Sequence, residues 1–293
     1  MNCNNKLMAT YKKFGFILCC LLLFLILIGV LFEKDRKFGN SRYNPSSYYI
    51  TLWPLPILGI YNTIVRSLNP DHTHSFDVNT FPSNTPNILQ SGWRDIQSEA
   101  INLYKKKEKL RNMSHIGTMS NFDVLDVEEG QWKVFVLKWY GKTLQNAKRQ
   151  CPKTVEMIEQ CTDLHIAMIS ILEPGKYIPP HKGPFTACLR YHLGLKIPKD
   201  RENCYIEVNN EKFTWGEGEG LIFDDTYNHS VYNNTDEPRI ILFVDIERPL
   251  KQPLKSINNF LCSNASLAKF NKGVNDVSEK TKELFMTYDH FHN

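Results

Sequence analysis

Between residues 133 and 246 the apolar positions recur with a period of two, in seven short segments separated by turn-forming residues. This pattern limits the fold more than any other feature of the chain. A strand sends alternate side chains to opposite faces, so a series of short half-buried strands has to close into an antiparallel sandwich or barrel. The expected strands are 133–139, 165–172, 186–195, 204–208, 220–223, 230–233 and 239–246. Asn209-Asn210 is the expected hairpin turn after 204–208. Helical spacing lies outside these segments. It covers 93–109, through Ile96, Ala100, Leu103 and Tyr104, and 144–160, where Pro152 and Thr154 stand near a helix start. Residues 251–293 form a C-terminal helical extension, with His290 and His292 on its tail.

The N-terminal part reads differently. Residues 14–32 (FGFILCCLLLFLILIGVLF) contain no charge. At about 1.5 Å per residue a helix of that length spans roughly 28 Å, enough for a hydrocarbon core. A cleaved signal peptide is the rival reading, but no small-residue cleavage site follows and 33–37 (EKDRK) resembles a stop. Lys6, Lys12 and Lys13 keep residues 1–13 cytosolic by the positive-inside tendency. The expectation is a single-pass type II membrane protein whose catalytic part is luminal or extracellular. These three lysines and the net +1 of residues 33–37 account for the whole formal charge of +4, so residues 38–293 are neutral. With no basic stripe in the body, nucleic acid is excluded as a partner. The densest basic run, Lys105-Lys106-Lys107, reads as a solvated helix face. Residues 33–90 are a spacer, rich in Asn, Pro, Thr and Ser over 69–87, and its apolar piece 50–60 is broken by Pro54 and Pro56. Residues 91–250 form the main folded domain. Asn112, Asn233 and Asn264 are glycosylation candidates, whereas Asn228 is expected to stay unmodified because it adjoins His229. Five Cys lie beyond the apolar run, and Cys151 with Cys161 is the preferred disulfide.

Two stretches carry chemistry: 170–195, SILEPGKYIPPHKGPFTACLRYHLGL, and 220–245, GLIFDDTYNHSVYNNTDEPRIILFVD. His181 follows two prolines and is expected to open a strand, and His229 starts another after an acidic pair. Two imidazoles 48 residues apart on separate strands can meet at the mouth of a small barrel. That is the arrangement of a non-haem Fe(II) oxygenase. The alternative is two structural histidines. The carboxylate usual two residues after the first His is absent, because position 183 is Gly. Arg190 and Arg239 sit in apolar strands with no obvious acidic partner. A buried guanidinium needs a counter-charge, supplied either by a carboxylate-bearing cosubstrate or by a distant Asp or Glu.

The stretch from about residue 81 to 250 resembles the aspartyl/asparaginyl β-hydroxylases, a family of Fe(II)- and 2-oxoglutarate-dependent dioxygenases. The matching pieces are Leu172-x-Pro174-Gly175, His181-x-Gly183-Pro184, Leu189-Arg190-x-His192-Leu193-Gly194-Leu195, Gly218-Glu219, Phe223-Asp224-Asp225 with His229, and Arg239 through Val244-Asp245. Trp93, Trp132 and Cys151-Pro152-x-Thr154 also fit. The resemblance implies a double-stranded β-helix (jelly-roll, cupin-like) barrel with flanking helices. It implies His181 and His229 as Fe(II) ligands, with Gly183 where relatives have the acid. Arg239 is then the cosubstrate's distal carboxylate ligand, Ser170, Arg190 and His192 line the 2-oxoglutarate pocket, and Asp225 orients a metal-bound His or is simply a turn acid. The implied reaction consumes O₂ and 2-oxoglutarate, releases succinate and CO₂, and hydroxylates a substrate C–H bond. Asp or Asn residues of protein substrates, such as EGF-like domains, are the first substrate expectation. Lipid acyl chains and small molecules are the alternatives. A degenerate barrel acting as a membrane-anchored binding module is the non-enzymatic reading, and a zinc hydrolase lacks a third evident ligand.

Overall fold

The computed structural model describes residues 61–62, 64–67, 73–106, 111–112, 132–183 and 185–265. The expected membrane segment, the apolar piece at 50–60 and the tail histidines lie outside these. Among the described residues no helix is long and apolar enough to cross a membrane. The chain divides into two compact units, of which the one holding residues 73–293 contains the strands. Within it the elements run β1 Ser75–Phe76, α1 Thr85–Ser91, α2 Trp93–Lys105, β2 Arg111–Asn112, β3 Trp132–Trp139, β4 Lys142–Thr143, α3 Gln145–Gln150 and α4 Pro152–Gln160. Then follow β5 Leu164–Leu172, β6 Lys176–His181, β7 Cys188–Lys196, β8 Cys204–Val208, β9 Glu211–Thr214, β10 Gly220–Phe223, β11 His229–Asn233, β12 Arg239–Glu247 and α5 Leu254–Ala265.

Two antiparallel sheets result. The major sheet has the order β1-β10-β7-β12-β5-β3-β2, with β4 on β3, and the minor sheet has the order β6-β11-β8-β9. From β5 to β12 the chain passes repeatedly from one sheet to the other, the jelly-roll topology expected of a double-stranded β-helix. The major sheet is buried on both faces: in β12 every residue from Arg239 to Ile246 is buried. Helix α2 packs on β7 and on α4, through the apolar stripe Ile96, Ala100 and Leu103. In the minor sheet the outward residues of β8 alternate with buried ones, as suits a sheet with one solvated face. There Tyr177, Tyr232 and Tyr205 stack across three strands.

Local chemistry explains the elements. Asn209 and Asn210 have φ of 52° and 67°, the left-handed pair that a two-residue type I′ turn requires and that Asn tolerates. Pro152 fills the first turn of α4, where its missing N–H costs nothing. The free N–H groups of Lys153 and Thr154 donate to the Glu99 carboxylate of α2 at 3.0 and 2.9 Å. One acid therefore caps one helix from another.

Several expectations are corrected. The domain begins before residue 91: β1 pairs with β10, and Leu89 of α1 is fully buried. The helix expected over 144–160 is two helices, broken at Cys151-Pro152. Cys151 and Cys161 are both free and buried. They sit at opposite ends of α4, about 15 Å apart at 1.5 Å per residue, too far for a disulfide. Asn233 is completely buried, and its amide donates to the carbonyls of Leu172, Glu173 and Glu237 at 3.2, 3.1 and 2.9 Å. No glycan can attach there. Asn112 and Asn264 fall in β2 and α5, with their side chains outside the description.

Candidate active site

His181 ends β6 and His229 opens β11, so His181 closes a strand rather than opening one. The two residues face each other in the antiparallel register, and their ring centroids are 4.0 Å apart. Each Nδ1 meets a backbone carbonyl two residues upstream, Pro179 at 2.8 Å and Tyr227 at 3.0 Å. A carbonyl oxygen only accepts, so Nδ1 carries the proton in both rings and Nε2 keeps its lone pair. Burial pushes both imidazoles well down, His181 to about 4. Both are therefore neutral at neutral pH, the form that ligates a metal.

Gly183 explains the missing acid. A Cβ on it would lie 1.9 Å from Oδ2 of Asp225, and its N–H donates to the Asp225 carbonyl at 2.7 Å. The carboxyl group of Asp225 fills the space that a side chain at position 183 would enter. Burial, outweighing the pull of Arg190, raises this carboxyl to about 7. Arg190 holds it through Nη2 at 2.9 Å. The same guanidinium donates to Asp245 from Nε at 2.9 Å and from Nη2 at 3.3 Å, and it lies 4.1 Å over the Phe243 ring. Arg190 therefore has two fixed acidic partners, Asp225 and Asp245, the distant acids that one of the two sequence readings allowed.

Arg239 is the opposite case. It is 1% exposed and its Nε has no hydrogen-bond partner. No acidic group pairs with it among the described residues. Burial brings its guanidinium down to about 10, and it stacks 4.9 Å from the Trp215 ring. Register places the neighbours. In β12, Ile241 is opposite Ser170 of β5 and Phe243 is opposite His192 of β7. Arg239, two and four residues from these, projects from the same face of the sheet. Both ring nitrogens of His192 and Nε1 of Trp215 are also buried without a partner. Burial first, then the charge of Arg239, pushes His192 far below the ordinary imidazole range. Ser170 accepts a hydrogen bond from Trp132 Nε1 at 2.9 Å. The polar pocket adjoins the histidine pair through Phe223, whose ring centroid is 5.0 Å from His192 and 5.6 Å from His229.

All seven sequence-derived residues (Ser170, His181, Arg190, His192, Asp225, His229 and Arg239) thus lie on the facing sheets of one barrel or on the turn between β10 and β11. Trp215 and the role of Asp245 were not anticipated. The only sequence signal for Trp215 is its place before the turn WGEGEG.

Residues 90–249 match the family model described as aspartyl/asparaginyl beta-hydroxylase. The chain belongs to this family. Among its relatives, an ornithine lipid ester-linked acyl 2-hydroxylase of Rhizobium tropici is 35% identical over 221 residues, 74% of this chain and 76% of that one. The aspartyl/asparaginyl beta-hydroxylase of Homo sapiens is 35% identical over 170 residues, 56% of this chain but 21% of that protein. The human aspartate beta-hydroxylase domain-containing protein 2 is 30% identical over 171 residues, 55% of this chain and 44% of its own length. The protein is a hydroxylase-family oxidoreductase, and it spans about three quarters of the bacterial relative and about a fifth of the human hydroxylase.

Proposed function

We propose that this protein is an Fe(II)- and 2-oxoglutarate-dependent hydroxylase anchored to a membrane by residues 14–32. The observation that carries the reading is a set of buried polar atoms without partners, Arg239 Nε, both nitrogens of His192 and Trp215 Nε1, beside two neutral histidines. A buried polar group is costly until a ligand satisfies it, and a lone buried guanidinium calls for a carboxylate. The donor set fits iron: His181 and His229 offer two Nε2 lone pairs, and two protein ligands leave positions for a chelating cosubstrate and O₂. When bound, Fe(II) supplies the O₂ activation that couples oxidative decarboxylation of 2-oxoglutarate to succinate and CO₂ with hydroxylation of a C–H bond.

The chain's own residues do the rest. The carbonyls of Pro179 and Tyr227 fix the tautomers of the two ligands. Arg239 binds the distal carboxylate of the cosubstrate, with His192, Trp215 and Ser170 around it. Phe223 and Phe243 exclude water from this pocket, where the charge pairing is then stronger. Arg190 acts through Asp225, holding its carboxyl in the space beside Gly183. In this reading Arg190 is a positioning residue rather than a direct cosubstrate ligand.

For the substrate, one match, over 221 residues and so beyond the catalytic domain, is to a lipid acyl 2-hydroxylase, and an anchored enzyme suits a lipid. An acyl chain beside its ester or amide carbonyl is therefore placed first. Peptidyl Asp or Asn is the second reading, favoured by equal identity to the human β-hydroxylase within the domain. The test is succinate release by the full chain with Fe(II), 2-oxoglutarate and either ornithine-type lipids or an EGF-like domain. His181→Ala and His229→Ala are expected to lose turnover at least 100-fold. Full turnover in either variant would overturn the metal assignment, and succinate coupled only to the EGF-like domain would overturn the lipid reading.

A further inference from the structure

A second cluster of metal-type donors lies outside the site just described. His165, Cys188 and Cys262 come from β5, β7 and α5, and their donor atoms all lie within 4.8 Å of one another. Both thiols are free. Neither thiol belongs to the iron or cosubstrate pocket.

The fold aims these residues deliberately. Along β12, Asp245 is opposite Ile166 while Ile246 is opposite Leu164, so His165 is the extra residue of a β-bulge. A bulge re-aims the side chain it carries, and here it brings the imidazole to the end of β7 where Cys188 begins. Cys262 arrives on α5, one turn after Asn258. The Asn258 side chain donates to the Ala187 carbonyl at 3.4 Å and accepts from the Cys262 thiol at 3.6 Å. The helix is thus registered on the residue before Cys188. Nε2 of His165 is buried without a hydrogen-bond partner.

We propose that His165, Cys188 and Cys262 form a second metal site, for a thiophilic ion of the Zn(II) class, which pins helix α5 to the major sheet. Two sulfurs and one imidazole are donors that this ion prefers, with a fourth position left for water. Tetrahedral Zn(II) holds sulfur at about 2.3 Å and nitrogen at about 2.1 Å, so its donors stand on the order of 3.5 Å apart. With donors within 4.8 Å of one another, the three side chains need to close by about 1.3 Å at most to reach that spacing. The surroundings favour a cation: Asp245, Glu247 and Tyr140 face the two thiols, and the nearby guanidinium of Arg190 is already committed to Asp225 and Asp245. A Cys188–Cys262 disulfide would use the two sulfurs but give the bulged histidine nothing to do.

Cobalt(II) tests this independently of activity, because a thiolate-to-cobalt charge-transfer band cannot arise at a site made of two histidines. Reduced, metal-stripped full chain titrated with Co(II) alone is expected to develop that band with one equivalent, and Zn(II) is expected to abolish it. The band should vanish in Cys188→Ser and Cys262→Ser, weaken in His165→Ala, and persist in His181→Ala. Cys262→Ser lies on the peripheral helix, so it remains informative if Cys188→Ser fails to fold. Absence of the band in the wild-type chain, its survival in Cys262→Ser, or its loss in His181→Ala would each overturn the proposal. So would a Cys188–Cys262 disulfide that persists in the metal-loaded protein.

Discussion

Replacing Arg239 by Met should move stability and cosubstrate binding in opposite directions, and the structure gives the size of each. Burial brings the guanidinium down from its ordinary, much more basic range to about 10. The difference corresponds to about 3 kcal/mol of cost for keeping the charge in the empty pocket. Leaving Nε unpaired adds about 1–2 kcal/mol, and the face of Trp215 returns about the same. Methionine of similar volume removes all three terms, so Arg239→Met should stabilise the metal- and cosubstrate-free protein by about 3 kcal/mol. The pH dependence follows from the sign. Above about pH 10, and up to the ordinary guanidinium range, the unfolded chain binds the proton that the folded chain has released, so stability rises with pH there. Below pH 10 the cost is present in full, and neutral pH therefore shows the whole gain. The 2-oxoglutarate complex should lose a charge-assisted pair worth about 3 kcal/mol, a rise of roughly 100-fold in the concentration required. Urea unfolding of the apo-protein and succinate release against 2-oxoglutarate concentration measure the two effects. A variant less stable than wild type would mean that Arg239 has a counter-charge in the free protein. An unchanged dose response would mean that the pocket takes no carboxylate, and either result refutes the reasoning.

Two further substitutions probe the scaffold. Gly183→Asp restores the acid usual in other two-histidine sites, but its Cβ collides with Asp225. Iron content and turnover should both fall more than 10-fold and partly recover when Asp225→Gly is added; wild-type iron content in the single variant would show that Asp225 moves freely. Glu99→Ala removes the acceptor for two N–H groups and the Thr154 hydroxyl at the start of α4. It should cost about 2 kcal/mol in urea unfolding, with the 2-oxoglutarate requirement unchanged, and a loss under 0.5 kcal/mol would dismiss the capping role.

How much of this was legible depended on whether the controlling contacts were local. Strands 204–208 and 220–223 were read with their observed ends because turn residues flank them, and Asn209-Asn210 dictates its own turn. β6 was missed as a strand ending at His181 because Pro179-Pro180 reads as a break. β6 is an edge of the minor sheet, where a proline need not donate to a neighbour. The disulfide expectation conflicted with the helix expected over 144–160, which already sets Cys151 and Cys161 about 15 Å apart, and the observed α4 decides for the helix. Asn233 failed for another reason: the triplet shows in the sequence, but the burial of its amide does not. In the site, the histidines and Arg239 announce themselves by residue type and setting. The occupation of the Gly183 space by Asp225, 42 residues later, depends on a turn whose path only the fold defines.

The different fates of the two arginines show where sequence reasoning stops and register takes over. Arg190 and Arg239 look alike in the chain, each a cation in an apolar strand. In the sheet, Arg190 is opposite Asp245, whereas Arg239 is opposite Leu172. Six residues along one strand therefore separate a neutralised guanidinium from an unpaired one. A shift of the β7–β12 pairing by two residues would keep every side chain on its face yet take Asp245 away from Arg190, leaving charge uncompensated beside the histidine pair. The bulge between Ile240 and Ile241 helps to fix that register. Nothing opposite Arg239 in β5 can neutralise it, and no acidic group among the described residues pairs with it; under the proposed function, a dicarboxylate that also reaches the two histidines would supply that charge.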